Sequence, residues 1–238
     1  MLVRQGGDRF LVIDDFLDDE TLGEVRKLMA RSTVSQVDSV IYPDTDGFAY
    51  RSKGTVFDGT ADVDRGTGRP KAYELIRRRV AAEPEIFGAV GEDWDRIGFT
   101  FWQYPAGSRL SWHNDTGGGR TGEFILFLHE TWKTSWGGEL MILDEEPPQD
   151  GDGDGDFVSR MEKRVRRSAA HPTAIVPLPN RLVLVKAGTV HQINRVDPTA
   201  DGRRCTLTGF VSKKPRQSSS EVRNALLELA GDTAGSRT

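Results

Sequence analysis

Residues 98–115, GFTFWQYPAGSRLSWHND, mark where the character of the chain changes. Upstream, apolar residues recur at helical spacing. From Gly98 onward short β-rich runs follow one another at 98–104, 124–129, 139–143, 173–176, 182–185 and 204–211, with Gly, Pro, Asn or Asp between them. Short strands with turn signals and no helical period between them predict a sandwich, jelly roll or barrel rather than alternating parallel units. The stretch ends on His113 and Asp115. In an extended chain, side chains two residues apart share a face, so an imidazole and a carboxylate at this spacing can grip one metal ion. A third ligand is needed, and His129 in FILFLHE or His191 in KAGTVHQI could supply it. Two histidines and one carboxylate form the facial set that leaves positions open on iron(II).

Working outward, 10–13 reads as a strand leading into a helix that starts at the acidic group Asp18, Asp19 and Glu20 and carries Leu22, Val25, Leu28 and Met29 on one face. Residues 69–82 read as a second helix, with Tyr73, Ile76 and Val80 on one side and a basic, solvated face opposite. Between the two, 32–68 is polar, with scattered Phe48, Tyr50 and Phe57, and carries no secure element; its length and aromatic content suit a lid over the metal. Downstream, 144–172 is acidic first and basic after. Asp150, Asp152, Asp154 and Gly155 imitate the opening of a calcium loop, but the twelfth position, which should be a bidentate acid, is Met161. The segment reads instead as a flexible hairpin insertion. At the end of the sequence, 220–230 reads as a helix capped by Ser220, followed by a polar tail from Gly231. The expected organisation is one domain over 1–238. Helical support occupies 1–95, a core 96–213 carries the insertion 145–171, and a C-terminal helix and tail occupy 214–238.

Composition narrows the function. The net charge is −4 and the 32 basic residues are spread out, which argues against a nucleic-acid surface and suits a small or neutral substrate. The first ten residues have no apolar signal core and no apolar run reaches the roughly 18 residues of a membrane helix, so a cytoplasmic protein with no membrane contact is expected. The one cysteine, Cys205, excludes an internal disulfide and a multi-cysteine zinc site, and its apolar run marks it as a core residue. His129 also fits its own strand as an edge or core histidine, and His171 fits a surface loop. Trp112 and Trp136 suit either an aromatic wall for substrate or plain core packing.

With His191 as third ligand, the histidines stand 78 residues apart, and Arg204 follows thirteen residues later in RRCTLTGF. A cation inside a β core is costly without a partner, and a bound dicarboxylic acid would be one. Arg203 competes for this role but should face the opposite side of the strand.

The pieces YPAGSRLSWHND, FILFLHETWKTSWGGELMIL, PNRLVLVKAGTVHQI and RRCTLTGF, in this order, resemble the iron(II)- and 2-oxoglutarate-dependent dioxygenases, within them the prolyl 4-hydroxylase-like branch. The resemblance spans residues 12–211 and implies a double-stranded β-helix (jelly roll) core, mainly β with flanking helices. It implies His113, Asp115 and His191 as iron ligands, Arg204 as partner of the distal carboxylate of 2-oxoglutarate with Thr208 nearby, Tyr104 beside the co-substrate, and Leu140 as an apolar wall. Iron(II), 2-oxoglutarate and O2 are the implied reactants, with ascorbate a candidate reductant. Some relatives carry a tyrosine where this chain has Phe127, so here the distal carboxylate leans on Arg204, Thr208 or Tyr104. Related halogenases replace the carboxylate ligand by a small residue. Asp115 therefore implies hydroxylation, desaturation or cyclisation of a substrate such as a free amino acid or specialised-metabolite intermediate, with a peptidyl prolyl residue as the alternative. A cupin-type metal dioxygenase without 2-oxoglutarate, or a non-catalytic β-sandwich module, would each leave Arg204 unexplained.

Overall fold

The computed structural model describes residues 2–58, 69–146 and 155–214. Within these the chain forms two antiparallel sheets laid face to face. The larger is nine-stranded and built from β1 (Leu2–Gly6), β2 (Phe10–Asp14), β3 (Val34–Asp38), β4 (Phe48–Ser52), β5 (Thr55–Asp58), β6 (Arg96–Tyr104), β8 (Arg120–Phe127), β11 (Leu182–Lys186) and β13 (Arg204–Ser212). The smaller has the order β10 (Thr173–Ile175), β9 (Leu140–Leu143), β12 (Val190–Ile193), β7 (Leu110–His113). This is the expected jelly-roll core.

Alternation along the central strands explains the layering. On β8, Phe124 and Leu126 join the apolar layer beneath the helices, while Ile125 and Phe127 face the smaller sheet. Strand β11 repeats this, sending Leu182 and Leu184 one way and Val183 and Val185 the other. Both faces are covered, which is why these strands read as nearly continuous apolar runs. Where β13 crosses β6, Gly209 lies so close that an added Cβ would sit 1.7 Å from the Gly98 carbonyl oxygen, so only glycine permits the approach.

Helix α1 (Asp19–Arg31) begins as predicted: the Asp18 carboxylate accepts the Thr21 amide at 2.7 Å, and Asp19 and Glu20 occupy the first turn. Two further helices, α3 (Lys71–Ala81) and α4 (Pro84–Phe87), complete the layer over the larger sheet. The basic side of α3 is not wholly solvated, since Arg77 is buried.

Three segments differ from expectation. Residues 32–58 are three strands and the short helix α2 (Pro43–Asp46), so 1–95 supplies much of the larger sheet as well as helical support. The insertion holds helix α5 (Phe157–Arg167) rather than a flexible hairpin. Its apolar stripe, Phe157, Met161 and Val165, packs with Trp112, Leu143 and Val190; seven charged or polar neighbours had masked that four-residue period. The acidic triplet Asp150, Asp152 and Asp154, residues 59–68 of the lid segment, and the expected helix 220–230 lie outside the described residues. Among the described residues no helix is long and apolar enough to cross a membrane.

Candidate metal centre and co-substrate cavity

His113 and His191 are direct partners across the β7/β12 ladder, with a register irregularity between His191 and Ile193 that re-aims the end of the strand. The ring Nδ1 of His113 lies 2.7 Å from the Ser111 carbonyl and that of His191 lies 2.9 Å from the Thr189 carbonyl. A carbonyl only accepts, so each Nδ1 carries a proton and each Nε2 is the ring atom turned toward Asp115. Both Nε2 atoms lie 3.6 Å from Oδ2 of Asp115. The other oxygen, Oδ1, is held by Arg120 Nη1 at 3.1 Å, and the Arg120 guanidinium stacks 3.7 Å from the Phe210 ring centre. Burial, together with neighbouring His191, pushes His113 down to about 4, so its imidazole is neutral at pH 7.

One ligating atom from each of His113, Asp115 and His191 lies within 4.8 Å of the others. Two imidazoles and a carboxylate converging from one side suit iron(II). The strand bearing His113 is pinned from below by Asp46, fully buried in α2. Its carboxylate accepts from the Ser111 hydroxyl at 2.6 Å, the Ser111 amide at 3.1 Å, Ser39 at 2.8 Å and Arg109 at 3.1 Å. Burial works against the charge, but these donors prevail and hold the Asp46 carboxyl below the ordinary range.

The cluster faces a cavity of about 790 Å³ between the sheets. At its closed end is Arg204, 1 % exposed, whose Nε donates to the Gly138 carbonyl at 2.7 Å. Its guanidinium lies over Phe127 at 4.8 Å and Tyr104 at 5.8 Å, so Phe127 packs against the cation. Burial draws Arg204 down to about 10, which leaves it a cation at neutral pH, and burial raises the Tyr104 hydroxyl to about 12, which leaves it protonated. Two buried polar atoms at this end, Arg204 Nη2 and Thr206 Oγ1, have no hydrogen-bond partner. An orphaned cation edge beside an orphaned hydroxyl fits a carboxylate. Leu140 and Thr208 line the same cavity. Arg203 points away: it bonds Gln103 at 2.8 Å and lies over Tyr50.

The remaining singled-out residues fall elsewhere. His129 Nε2 donates to the Pro177 carbonyl at 2.6 Å and its ring packs 4.8 Å from Trp132, outside the metal cluster. His171 is exposed. Trp112 packs under α5, and Trp136 packs edge-on to Trp132, so neither walls the cavity; Trp102 does. Sequence reasoning missed Thr206, which shares the inward face of β13 with Arg204 and Thr208 and was findable by that alternation. It also missed Asp46 and Glu123, buried acids in stretches with no signal of burial.

Residues 99–212 match the family model described as the 2OG-Fe(II) oxygenase superfamily. The chain thus carries a domain of that superfamily over these residues. No curated protein matches it by sequence. In fold, this oxygenase is similar to a Pseudomonas putida prolyl-4-hydroxylase, at 16 % identity and TM-score 0.53 over 87 % of this chain and 93 % of that one. It is similar to a 2OG-Fe(II) oxygenase family oxidoreductase from Burkholderia pseudomallei, at 14 % identity and TM-score 0.55 over 91 % and 98 %. It is similar also to SnoK, a non-heme alpha ketoglutarate dependent carbocyclase from nogalamycin biosynthesis, at 12 % identity and TM-score 0.57 over 87 % and 80 %. At these identities the likeness is one of fold. Oxygenases of this superfamily use iron(II), 2-oxoglutarate and O2, and both the donor set and the orphaned atoms of the cavity suit the first two.

Proposed function

We propose that the enzyme hydroxylates an unactivated C–H bond of a small molecule, an intermediate of specialised metabolism, in a reaction that consumes O2 and 2-oxoglutarate and releases succinate and carbon dioxide. The observation that carries this reading is the pairing within one cavity of the His113, Asp115 and His191 cluster with the buried, half-satisfied guanidinium of Arg204.

In this reading His113 and His191 give their Nε2 lone pairs, and Asp115 gives Oδ2 while Arg120 holds its other oxygen. Iron(II) bound here with 2-oxoglutarate would activate O2, the oxidant of the reaction, which no side chain of this chain could do. Arg204 neutralises the distal carboxylate and Thr206, Thr208 or Tyr104 donates to it. Leu140, Ile125 and Ile193 form an apolar wall that excludes water and so strengthens each of these contacts.

Size favours an intermediate over a free amino acid. About 790 Å³ lies in the upper part of the roughly 300–1,000 Å³ that holds drug-sized ligands, and a five-carbon diacid uses little of it. A peptidyl prolyl residue is the second reading, favoured by the fold likeness to the Pseudomonas putida prolyl-4-hydroxylase and by the exposed apolar residues Val40 and Val56 among those lining the cavity.

The test is anaerobic titration of iron(II) and 2-oxoglutarate into apo-protein, watching the visible charge-transfer band of the chelate. A band that needs His191 and weakens in Arg204→Ala supports the reading; iron binding without a band would favour a metal dioxygenase that does not use 2-oxoglutarate. Succinate release then screens apolar metabolites against proline-containing peptides.

A further inference from the structure

The cavity holds a buried acid that neither the metal cluster nor the Arg204 end employs. Glu123 on β8 is 8 % exposed, and its Oε1, which lies 3.0 Å from His191 Nε2, has no hydrogen-bond partner. It is not one of the clustered ligands. When His191 Nε2 is engaged by a metal it has no proton to give, so Glu123 then faces the cavity with a free acceptor.

The strand register shows which part of the cavity it faces. Across the β8/β13 ladder Glu123 pairs with Phe210, Ile125 with Thr208, and Phe127 with Thr206, with Arg204 one inward position further on. Phe210 and Arg204 are six residues apart on one strand, about 20 Å at the usual rise. A five-carbon diacid spanning from the metal to Arg204 therefore runs away from Glu123. Gly118, Arg120 and Phe210 surround the Glu123 end, and Arg120 is already occupied by Asp115. This is the part of the cavity left for the molecule to be oxidised, and leaving an acid buried there without a donor would cost free energy.

We propose that Glu123 orients the substrate: its carboxylate accepts a hydrogen bond from an N–H or O–H group, an amine or an alcohol, that the substrate carries close to the C–H bond to be attacked. This rests on the oxygenase-site reading above and adds to it a substrate class, apolar in body with a donor near its reacting carbon. Glu123 is a specificity-determining residue and not a metal ligand.

The test uses the full chain loaded with Mn(II) and 2-oxoglutarate, which binds without turning over, and three probes of one shape: phenethylamine, phenethyl alcohol and n-propylbenzene. Paramagnetic broadening of probe protons gives both affinity and which end lies near the metal. The amine or the alcohol should bind about tenfold more tightly than n-propylbenzene, the gain of one buried hydrogen bond, with the CH2 next to the donor broadened most. Which of the two is preferred tells whether the donor is an amine or a hydroxyl. Glu123→Leu should erase the preference, and Glu123→Ala provides the same test if the leucine variant does not fold. Equal or absent binding of all three probes to the wild type, or a preference that survives in both variants, overturns the proposal. So does a loss of Mn(II) affinity in both, which would make Glu123 part of the metal site. Absence of the iron(II)/2-oxoglutarate band in the wild type would instead sink the oxygenase-site reading, so the two failures are distinguishable.

Discussion

The two sheets contribute different things to the cavity. The four-stranded sheet brings both histidines, on strands of four residues each, and aims each with the backbone carbonyl two residues before it, that of Ser111 within β7 and that of Thr189 just ahead of β12. The nine-stranded sheet brings Arg204, Thr206, Thr208 and Glu123, on strands of eight and nine residues packed beneath helices. In the function proposed above, metal geometry is thus fixed locally, whereas the contacts to co-substrate and substrate are spread along the inner face of the larger sheet. Changes on the short sheet should therefore be all-or-none, and changes on the long sheet should be graded.

The largest effect should come from the short sheet. His191→Ala should lower iron(II) affinity by about a hundredfold or more, since even the outer partners of metal ligands are worth roughly 10–100-fold, and anaerobic titration should give no charge-transfer band. A His191→Ala protein that still shows the band would break the comparison. On the long sheet, Arg204→Ala should leave metal binding intact and raise the 2-oxoglutarate dissociation constant about a hundredfold, the scale of a buried charge-assisted pair. Asp46→Ala bears on how the short sheet is held. It should cost about 2–3 kcal/mol of unfolding free energy by leaving the Ser111 and Arg109 donors without their acceptor, and lower the melting temperature by several degrees.

The pH dependence of stability gives a smaller effect, through a histidine that belongs to neither cluster. Burial holds His129 down to about 4, below its ordinary 6.5. The unfolded chain thus binds a proton more readily than the folded one, and the stability linked to this group is full above pH 6.5 and lost as pH falls toward 4. By pH 5 the loss should be about 2 kcal/mol, and denaturant titrations of His129→Asn should show a correspondingly flatter decline between pH 7 and 5. Smallest of all is Arg203→Ala. It faces out from the strand whose next residue faces in, and should change stability by less than about 0.5 kcal/mol with co-substrate affinity unmoved.

The same contrast governs what could be read from sequence. Strands β6, β8, β11 and β13 are long, flanked by turn residues and rich in aromatic and β-branched residues, so their place in a β core was legible. Strands β7 and β12 are only four residues each, and only the H-x-D spacing and the family resemblance pointed to them. Strands β3 to β5 read as a lid because edge strands bury little and so lack strong alternation: most of Val34–Asp38 and Thr55–Asp58 is exposed or half-buried. Helix α5 was hidden because a stripe of three apolar residues is a faint signal among arginines and lysines. Glu123 was illegible for a different reason. Nothing in GEFILF distinguishes a glutamate pointing into a cavity from one pointing to water until the register of β8 is known.

The carbonyls of Ser111 and Thr189 that steer the two imidazoles have a consequence for how this enzyme can diversify. An orienting group made of main chain is present whatever side chain stands at position 111 or 189, so ordinary substitutions cannot remove it. The walls of the cavity can be rewritten residue by residue, toward larger, smaller or more polar substrates, while the aim of the histidines persists. Insertions, deletions or a proline within these two short strands are the changes that would disturb it. The centre is therefore robust to drift in composition and vulnerable to drift in length.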